Sequence, residues 1–214
     1  MAVAAQPNEA QSALAAPLSR RSLALATAAL GLLPLPAWAD GNVVQFYGAA
    51  NPPATYGGVG GTTRQFARYG FLIPDTFTEE AVSKVDKGSG GVDCRFATGG
   101  RKRETVFVVS LRNEGAADGR GFALAADPNV ALQTVAGSST VLQDAIGAGT
   151  VTSTRKGDKY LYDLQGPTCG AFVVTTKGGR LFALSVLAPA SSWAADKEQL
   201  VAIRDSFEAY DVPE

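Results

Sequence analysis

Six side chains of this 214-residue chain have types that carry chemistry: the thiols Cys94 and Cys169, and the charged residues Asp93, Arg95, Asp158 and Lys159. The four charges are the candidates for carboxylate or lysine chemistry, the kind that proceeds without imidazole. Histidine is absent from the chain, which removes the commonest general base and the commonest transition-metal ligand. Ser-His-Asp and Cys-His nucleophilic pairs and HExxH metal sites are thereby excluded. The two cysteines stand too far apart for a CxxC redox motif and are too few for a zinc site built on cysteine alone. They read either as a Cys94–Cys169 disulfide, the natural pairing in a small exported domain, or as two separate buried thiols. A bridge closing a loop of about 75 residues would contribute up to roughly 4 kcal/mol in the chain-entropy model. Charged residues on strand faces and turns are ordinarily just solvated, so the expectation is a protein with no catalytic residues.

The elements that must position these residues begin after a leader. In "SRRSLALATAALGLLPLPAWAD", Ser19 to Asp40, Arg20 and Arg21 precede an apolar run that ends in Ala37-Trp38-Ala39. This is the layout of an export signal, with Ala37 and Ala39 at the positions a signal peptidase reads. The arginine pair fits the twin-arginine route, a receptor-read address and not an anchor. The run is shorter than the roughly 20 apolar residues of a spanning helix and holds Pro34 and Pro36. Residues 1–39 are therefore expected to be removed. Loss of Arg20, Arg21 and Glu9 leaves 17 basic against 19 acidic groups, a net charge of −2. Such a balance gives no basic face for nucleic acid.

Residues 40–65 are rich in Gly, with Pro52-Pro53 at their centre, and read as a flexible arm. Gly57-Gly58-Val59-Gly60-Gly61 lacks the Gly-Lys-Ser/Thr of a phosphate loop. Val43, Val44, Phe46, Tyr47 and Tyr56 are apolar or aromatic. Their presence in the arm suggests a docking element that orders on a partner.

The domain proper, residues 66–214, opens with a strand through Tyr69, Phe71 and Ile73, stopped by Pro74. "EAVSKVDKGSGGVDCRFAT" reads as a hairpin from Val82 to Phe96, turning at Gly88 to Gly91. The turn region lacks the spaced carboxylates of a calcium loop. Thr105 to Leu111 is apolar on both faces, as a central strand must be. Asp127-Pro128 caps a helix through Val130, Leu132 and Val135, and Val141 to Ile146 suits a short helical turn. Two hairpins follow, the second turning at Gly178-Gly179. After Ser191 or Ser192 as N-cap, Trp193, Leu200, Ile203, Phe207 and Tyr210 recur at helical spacing, a stripe suited to core packing. The order predicts an α+β fold, a mainly antiparallel sheet flanked by helices.

Three stretches of this domain, "YGFLIPDTF", "VSKVDKGSGGVDCRF" and "GDKYLYDL…AFVVTTKGGRLFALSVLAPASSWAADKEQLVAIRDSFEAY", resemble the PsbP family of extrinsic thylakoid-lumen proteins. The likeness runs from about Phe66 to Tyr210. It implies an α/β/α sandwich and delivery of the twin-arginine cargo to the chloroplast thylakoid lumen. It further implies peripheral contact with lumenal subunits of photosystem II in the oxygen-evolving complex, in support of calcium and chloride retention. No cofactor is expected to be bound tightly, and calcium enters through the resemblance alone. The absence of Lys and Arg from Asp40 to Thr63 favours the alternative, a lumenal assembly chaperone for photosystem I or II.

Overall fold

The computed structural model describes residues 42–50, 61–88, 90–100, 103–112 and 121–211. Ala37, Ala39 and Tyr56, the cleavage and arm residues named above, lie outside them. Ten strands and four helices follow in the order β1 (Val43–Gly48), β2 (Tyr69–Pro74), β3 (Thr78–Glu80), α1 (Lys84–Gly88), β4 (Val92–Ala97), β5 (Thr105–Arg112), α2 (Pro128–Ala136), α3 (Thr140–Gly147), β6 (Thr150–Lys156), β7 (Lys159–Gln165), β8 (Thr168–Lys177), β9 (Arg180–Pro189), α4 (Ala190–Asp205) and β10 (Glu208–Ala209). A 3-10 turn, Arg64–Phe66, stands between β1 and β2.

The main sheet has seven antiparallel strands in the order β3-β4-β5-β9-β8-β7-β6, and a second sheet has the order β1-β2-β10. Alternation along the central strands sends side chains into two cores. Val106 and Val108 of β5, with Phe182, Leu184 and Val186 of β9, face Leu200 and Ile203 of α4 and Tyr69 and Phe71 of β2. Phe107 and Val109, with Leu181 and Ala183, face Leu132 and Val135 of α2 and Leu142 of α3. Burial on both faces is why β5 reads as an unbroken apolar run. The architecture is α+β, an antiparallel sheet covered on each face, as expected.

Local chemistry fixes the connections. Gly178 and Gly179 both take positive φ, 52° and 70°, the pair that a two-residue type I′ loop requires between Lys177 and Arg180. Asp127 accepts a hydrogen bond from the Asn129 amide at 2.8 Å with Pro128 in the first turn of α2, and Ser139 caps α3. Arg204, nearly buried on α4, donates to Asp163 Oδ1 of β7 at 2.7 Å and to Asp205 Oδ1 at 2.8 Å. The last helix is thereby keyed to the sheet by a paired charge.

Four expectations are corrected. The segment Val43–Gly48 is no free arm: it pairs antiparallel with β2 from Val43↔Pro74 to Gly48↔Tyr69. Phe46 packs on Phe71 and Phe96 with ring centroids 5.3 and 5.0 Å away, so its aromatic residues serve the core of their own domain. Lys84–Gly88 is a turn of helix and not the first strand of a hairpin, because Ser83 Oγ accepts from the Asp86 amide and caps it. The strands beside β4 are β3 and β5. Helix α4 starts at Ala190, after Pro189, leaving Ser191 and Ser192 inside its first turn. The chain bends there early because the Ala190 amide donates to Pro167 O. Phe207 and Tyr210 lie beyond the helix, in and after the turn to β10, where the Tyr210 amide donates to Arg68 O at 2.7 Å.

The fourth correction concerns the thiols. Cys94 lies on β4 and Cys169 on β8, with β5 and β9 between them. At about 4.8 Å per strand their backbones are on the order of 14 Å apart, whereas a disulfide needs Cα atoms within about 7 Å. Both thiols are free and buried.

Candidate docking surface

The residues singled out for chemistry do not gather into one site. Arg95 on β4 meets Asp86 of α1 at 3.5 Å. Asp158 sits in the β6–β7 turn, its carbonyl accepting from Thr175 Oγ1 at 2.9 Å, and Lys159 Nζ donates to Phe207 O at 2.7 Å. Strands β5, β9 and β8 separate β4 from β7, so the two charged pairs do not converge. Among the described residues no three Cys, Asp or Glu side chains gather into a cation-holding cluster.

Asp93 belongs to a buried polar knot. The Tyr69 hydroxyl donates to Asp93 Oδ2 at 2.6 Å, and the Tyr69 hydroxyl oxygen lies 3.2 Å from Cys94 Sγ. The Ala50 amide donates to Asp93 Oδ2 at 3.2 Å, and the Ala50 carbonyl accepts from Arg180 Nη1. Ala50 takes φ 51°, a left-handed value costly for a residue with a Cβ; hydrogen bonds at both its amide and its carbonyl hold it there. Burial, then the nearby thiol and carboxylate, push the Tyr69 phenol well above its ordinary range. Burial and the Asp93 charge push the Cys94 thiol up likewise, and burial raises Asp93 despite the Tyr69 and Ala50 bonds. A neutral phenol and thiol on a held carboxylate are structural: they fasten β1 and its continuation to β4. No low-pKa nucleophile results.

The fastening creates a surface. Strand β1 ends against Tyr69 so closely that a Cβ on Gly48 would stand 2.0 Å from the Tyr69 ring. Returning chain is bound to β1 by Thr62 N to Tyr47 O and Arg68 N to Gly48 O, each 2.8 Å. Between these two bonds the turn Arg64–Phe66 projects outward. Phe66 is 63% exposed, while the Arg64 guanidinium lies 3.8 Å over the Tyr210 ring and 5.9 Å from the Tyr47 ring. Burial raises the Tyr210 phenol, with Arg64 pulling the other way. A shallow groove runs beside the turn, lined by Thr63, Arg64, Gln65, Ala67 and Asp211, and Lys177 pairs with Asp211 at 3.2 Å.

An exposed Phe, two Tyr and a stacked Arg are the residue types enriched at protein interfaces. Of the described residues predicted to dock, Tyr47 alone belongs to this patch. Val43 and Phe46 are half-buried on β2 and Val44 is 53% exposed along β1. Sequence reasoning missed Arg64 and Phe66, whose only signal was "TRQFAR", a cation and an aromatic between the Gly-rich stretch and the first recognised strand.

No protein-family model matches the chain. It is 36% identical over 194 residues to the chloroplastic thylakoid lumenal 19 kDa protein of Arabidopsis thaliana, an alignment covering 85% of this chain and 81% of that protein. Solved structures similar to it include cyanobacterial PsbP from Synechocystis, with TM-score 0.48, 15% identity, and coverage of 81% of this chain and 96% of that one. Another is the Ran-binding protein Mog1p of Saccharomyces cerevisiae, with TM-score 0.46, 10% identity, and coverage of 80% and 97%.

Proposed function

We propose, because the chain belongs to the PsbP-like family of the chloroplast thylakoid lumenal 19 kDa protein, that it is a non-catalytic extrinsic subunit bound peripherally to the lumenal face of photosystem II. The protein is a chloroplast thylakoid-lumen protein. It covers that face and favours retention of the calcium and chloride held there, supplying no ion ligands of its own. The observation that carries the docking is Phe66, 63% exposed on a turn tied at both ends. An aromatic residue on backbone held in position, beside a guanidinium pre-organised over Tyr210, loses little backbone freedom on binding.

A second reading, a lumenal assembly factor for photosystem I or II, draws on the small size of the patch. Interfaces much below about 1,200 Å² are characteristic of transient encounters, and one 3-10 turn with its flanking tyrosines is a small surface. Native electrophoresis of solubilised thylakoid complexes, followed by immunodetection of the chain, separates the two. Migration with the mature photosystem II supercomplex supports the subunit. Migration only with early intermediates supports the assembly factor. Recovery entirely as free protein, in wild type and in Phe66→Ala alike, would remove both.

A further inference from the structure

The seven-stranded sheet ends in two edges of opposite character. At one side β3 is three residues long, carries Glu79 and Glu80, and has Glu80 paired with Arg103. A short, charged edge strand is the usual protection against pairing with another chain. At the other side β6 runs seven residues, Thr150-Val-Thr-Ser-Thr-Arg-Lys156, and six of them are exposed. Its register with β7 is continuous from Thr150↔Gln165 to Lys156↔Lys159, with no bulge. It holds no proline, and no strand among the described residues pairs with its outer edge.

From Thr150 to Thr154 the edge is thus long, regular in register and free of charge, made of β-branched residues and Ser153. In an antiparallel ladder alternate residues aim both N–H and C=O outward, so three or four residues of β6 present these pairs to a further strand. Its two charges are both cationic and both at the turn end. Arg155 is held by Nε donation to Gly157 O and lies 5.7 Å over Tyr160, and Lys156 is exposed beside it.

We infer that β6 is a strand-addition site for an extended acidic segment of a partner protein, laid antiparallel with its carboxylates opposite Arg155 and Lys156. Main-chain hydrogen bonds supply the affinity and the two cations set the register. The antiparallel sense continues the pattern of every neighbouring pair in the sheet. A second copy of this chain is the poorer occupant. It would bring two more cations and no carboxylate on its own β6. Edge to edge, it would meet a strip about 24 Å long and one strand deep, far short of the roughly 800 Å² a side of a stable interface. The inference is independent of which thylakoid complex the Phe66 patch contacts.

The test uses the full chain and two labelled peptides, acetyl-EETVTVT-amide and acetyl-KKTVTVT-amide, with anisotropy for affinity and hydrogen exchange for location. Expected are saturable binding of the acidic peptide, at least about ten-fold tighter than the basic one, weakening as salt shortens the screening length from about 10 Å toward about 3 Å. Slowed exchange should be confined to Thr150–Lys156. The double substitution Arg155→Glu/Lys156→Glu should reverse the preference, and binding of the basic peptide by that variant reports that its fold is intact. The inference is overturned by absence of saturable binding, by equal affinity for both peptides, by protection elsewhere, or by a peptide-free dimer whose β6 amides are already protected.

Discussion

Glu104 offers a quantitative test of how α4 is held on the sheet. The residue is 7% exposed just before β5, and its backbone is clamped to Thr98 by two hydrogen bonds of 3.0 Å, Glu104 N to Thr98 Oγ1 and Thr98 N to Glu104 O. From α4, Asp196 shares a hydrogen bond with it, so two carboxyl groups meet across the helix–sheet contact. The neighbouring Arg103 is engaged with Glu80. Burial first, and the Asp196 charge second, raise Glu104 from its ordinary value of 4.5 to about 7. The folded protein therefore holds this proton more tightly than the unfolded chain does. The stabilisation is fully present below about pH 4.5 and is lost as pH rises through about 7. Moving a carboxyl that far corresponds to a ceiling of about 3 kcal/mol. Asp196 is only half-buried, and solvent screening reduces the expected value to about 1–2 kcal/mol. Glu104→Gln keeps a donor toward Asp196 and removes the titration. Urea unfolding at about pH 5 and about pH 8 should show the fall in stability between them shrinking in the variant by that 1–2 kcal/mol. Asp93, also raised by burial, titrates alike in both proteins and cancels. An unchanged difference between the two pH values would refute the shared proton.

The remaining predictions concern the segments whose roles changed between sequence and structure. Phe46→Ala should lower stability by about 2–3 kcal/mol in chemical denaturation, since it removes a half-buried ring packed on Phe71 and Phe96; an unchanged midpoint would restore β1 to the status of a tail. Gly48→Ala should be at least as costly, because its Cβ meets the Tyr69 ring at 2.0 Å and β1 must shift, and near-ultraviolet circular dichroism will register the displaced tyrosine. Alkylation of the unfolded, unreduced protein should label Cys94 and Cys169 both, and added reductant should leave the melting temperature unchanged. Phe66→Ala and Arg64→Ala should leave stability within about 0.5 kcal/mol, as surface changes do, while reducing the fraction of the chain that co-migrates with thylakoid complexes.

Sequence periodicity was most informative where one physical rule dominated. Both hairpins of β6 to β9 were readable because Gly178-Gly179 leaves one tight geometry for its loop and because β8 and β9 alternate between two apolar cores. Capping chemistry likewise placed α2 through Asp127 and Pro128. Reading failed where tertiary contacts outweighed composition. Glycine- and proline-rich neighbours made Val43–Gly48 look unstructured, yet Gly48 is there because only a glycine allows β1 to lie against Tyr69. "VSKVDKG" alternates well enough for a strand, but one serine hydroxyl on the Asp86 amide turns it into helix. Cysteine count favoured a bridge that strand order forbids. Glu104 and Arg204 were not legible at all, because their meaning lies in Asp196 and Asp163, partners remote in sequence.

Incorporation of β1 into the fold also changes how the proposed docking works. A free arm would gain affinity by ordering on its partner and would lose conformational entropy on binding. Here Val43–Gly48 is ordered by the protein's own folding, and its knot at Ala50, Asp93 and Tyr69 fixes one end of the surface that remains. Thr62 and Arg68 bind back to β1 on either side of Arg64–Phe66, so Phe66 is presented by backbone that cannot retreat. Arg64 and Phe66 of the proposed docking surface therefore depend on the β1–β2 pairing without belonging to it. Loss of Phe46 packing should weaken docking through the position of the turn, whereas loss of Phe66 should weaken it with the fold intact. Measuring stability and co-migration on the same two variants distinguishes a surface built on the N-terminal strand from one that merely lies next to it.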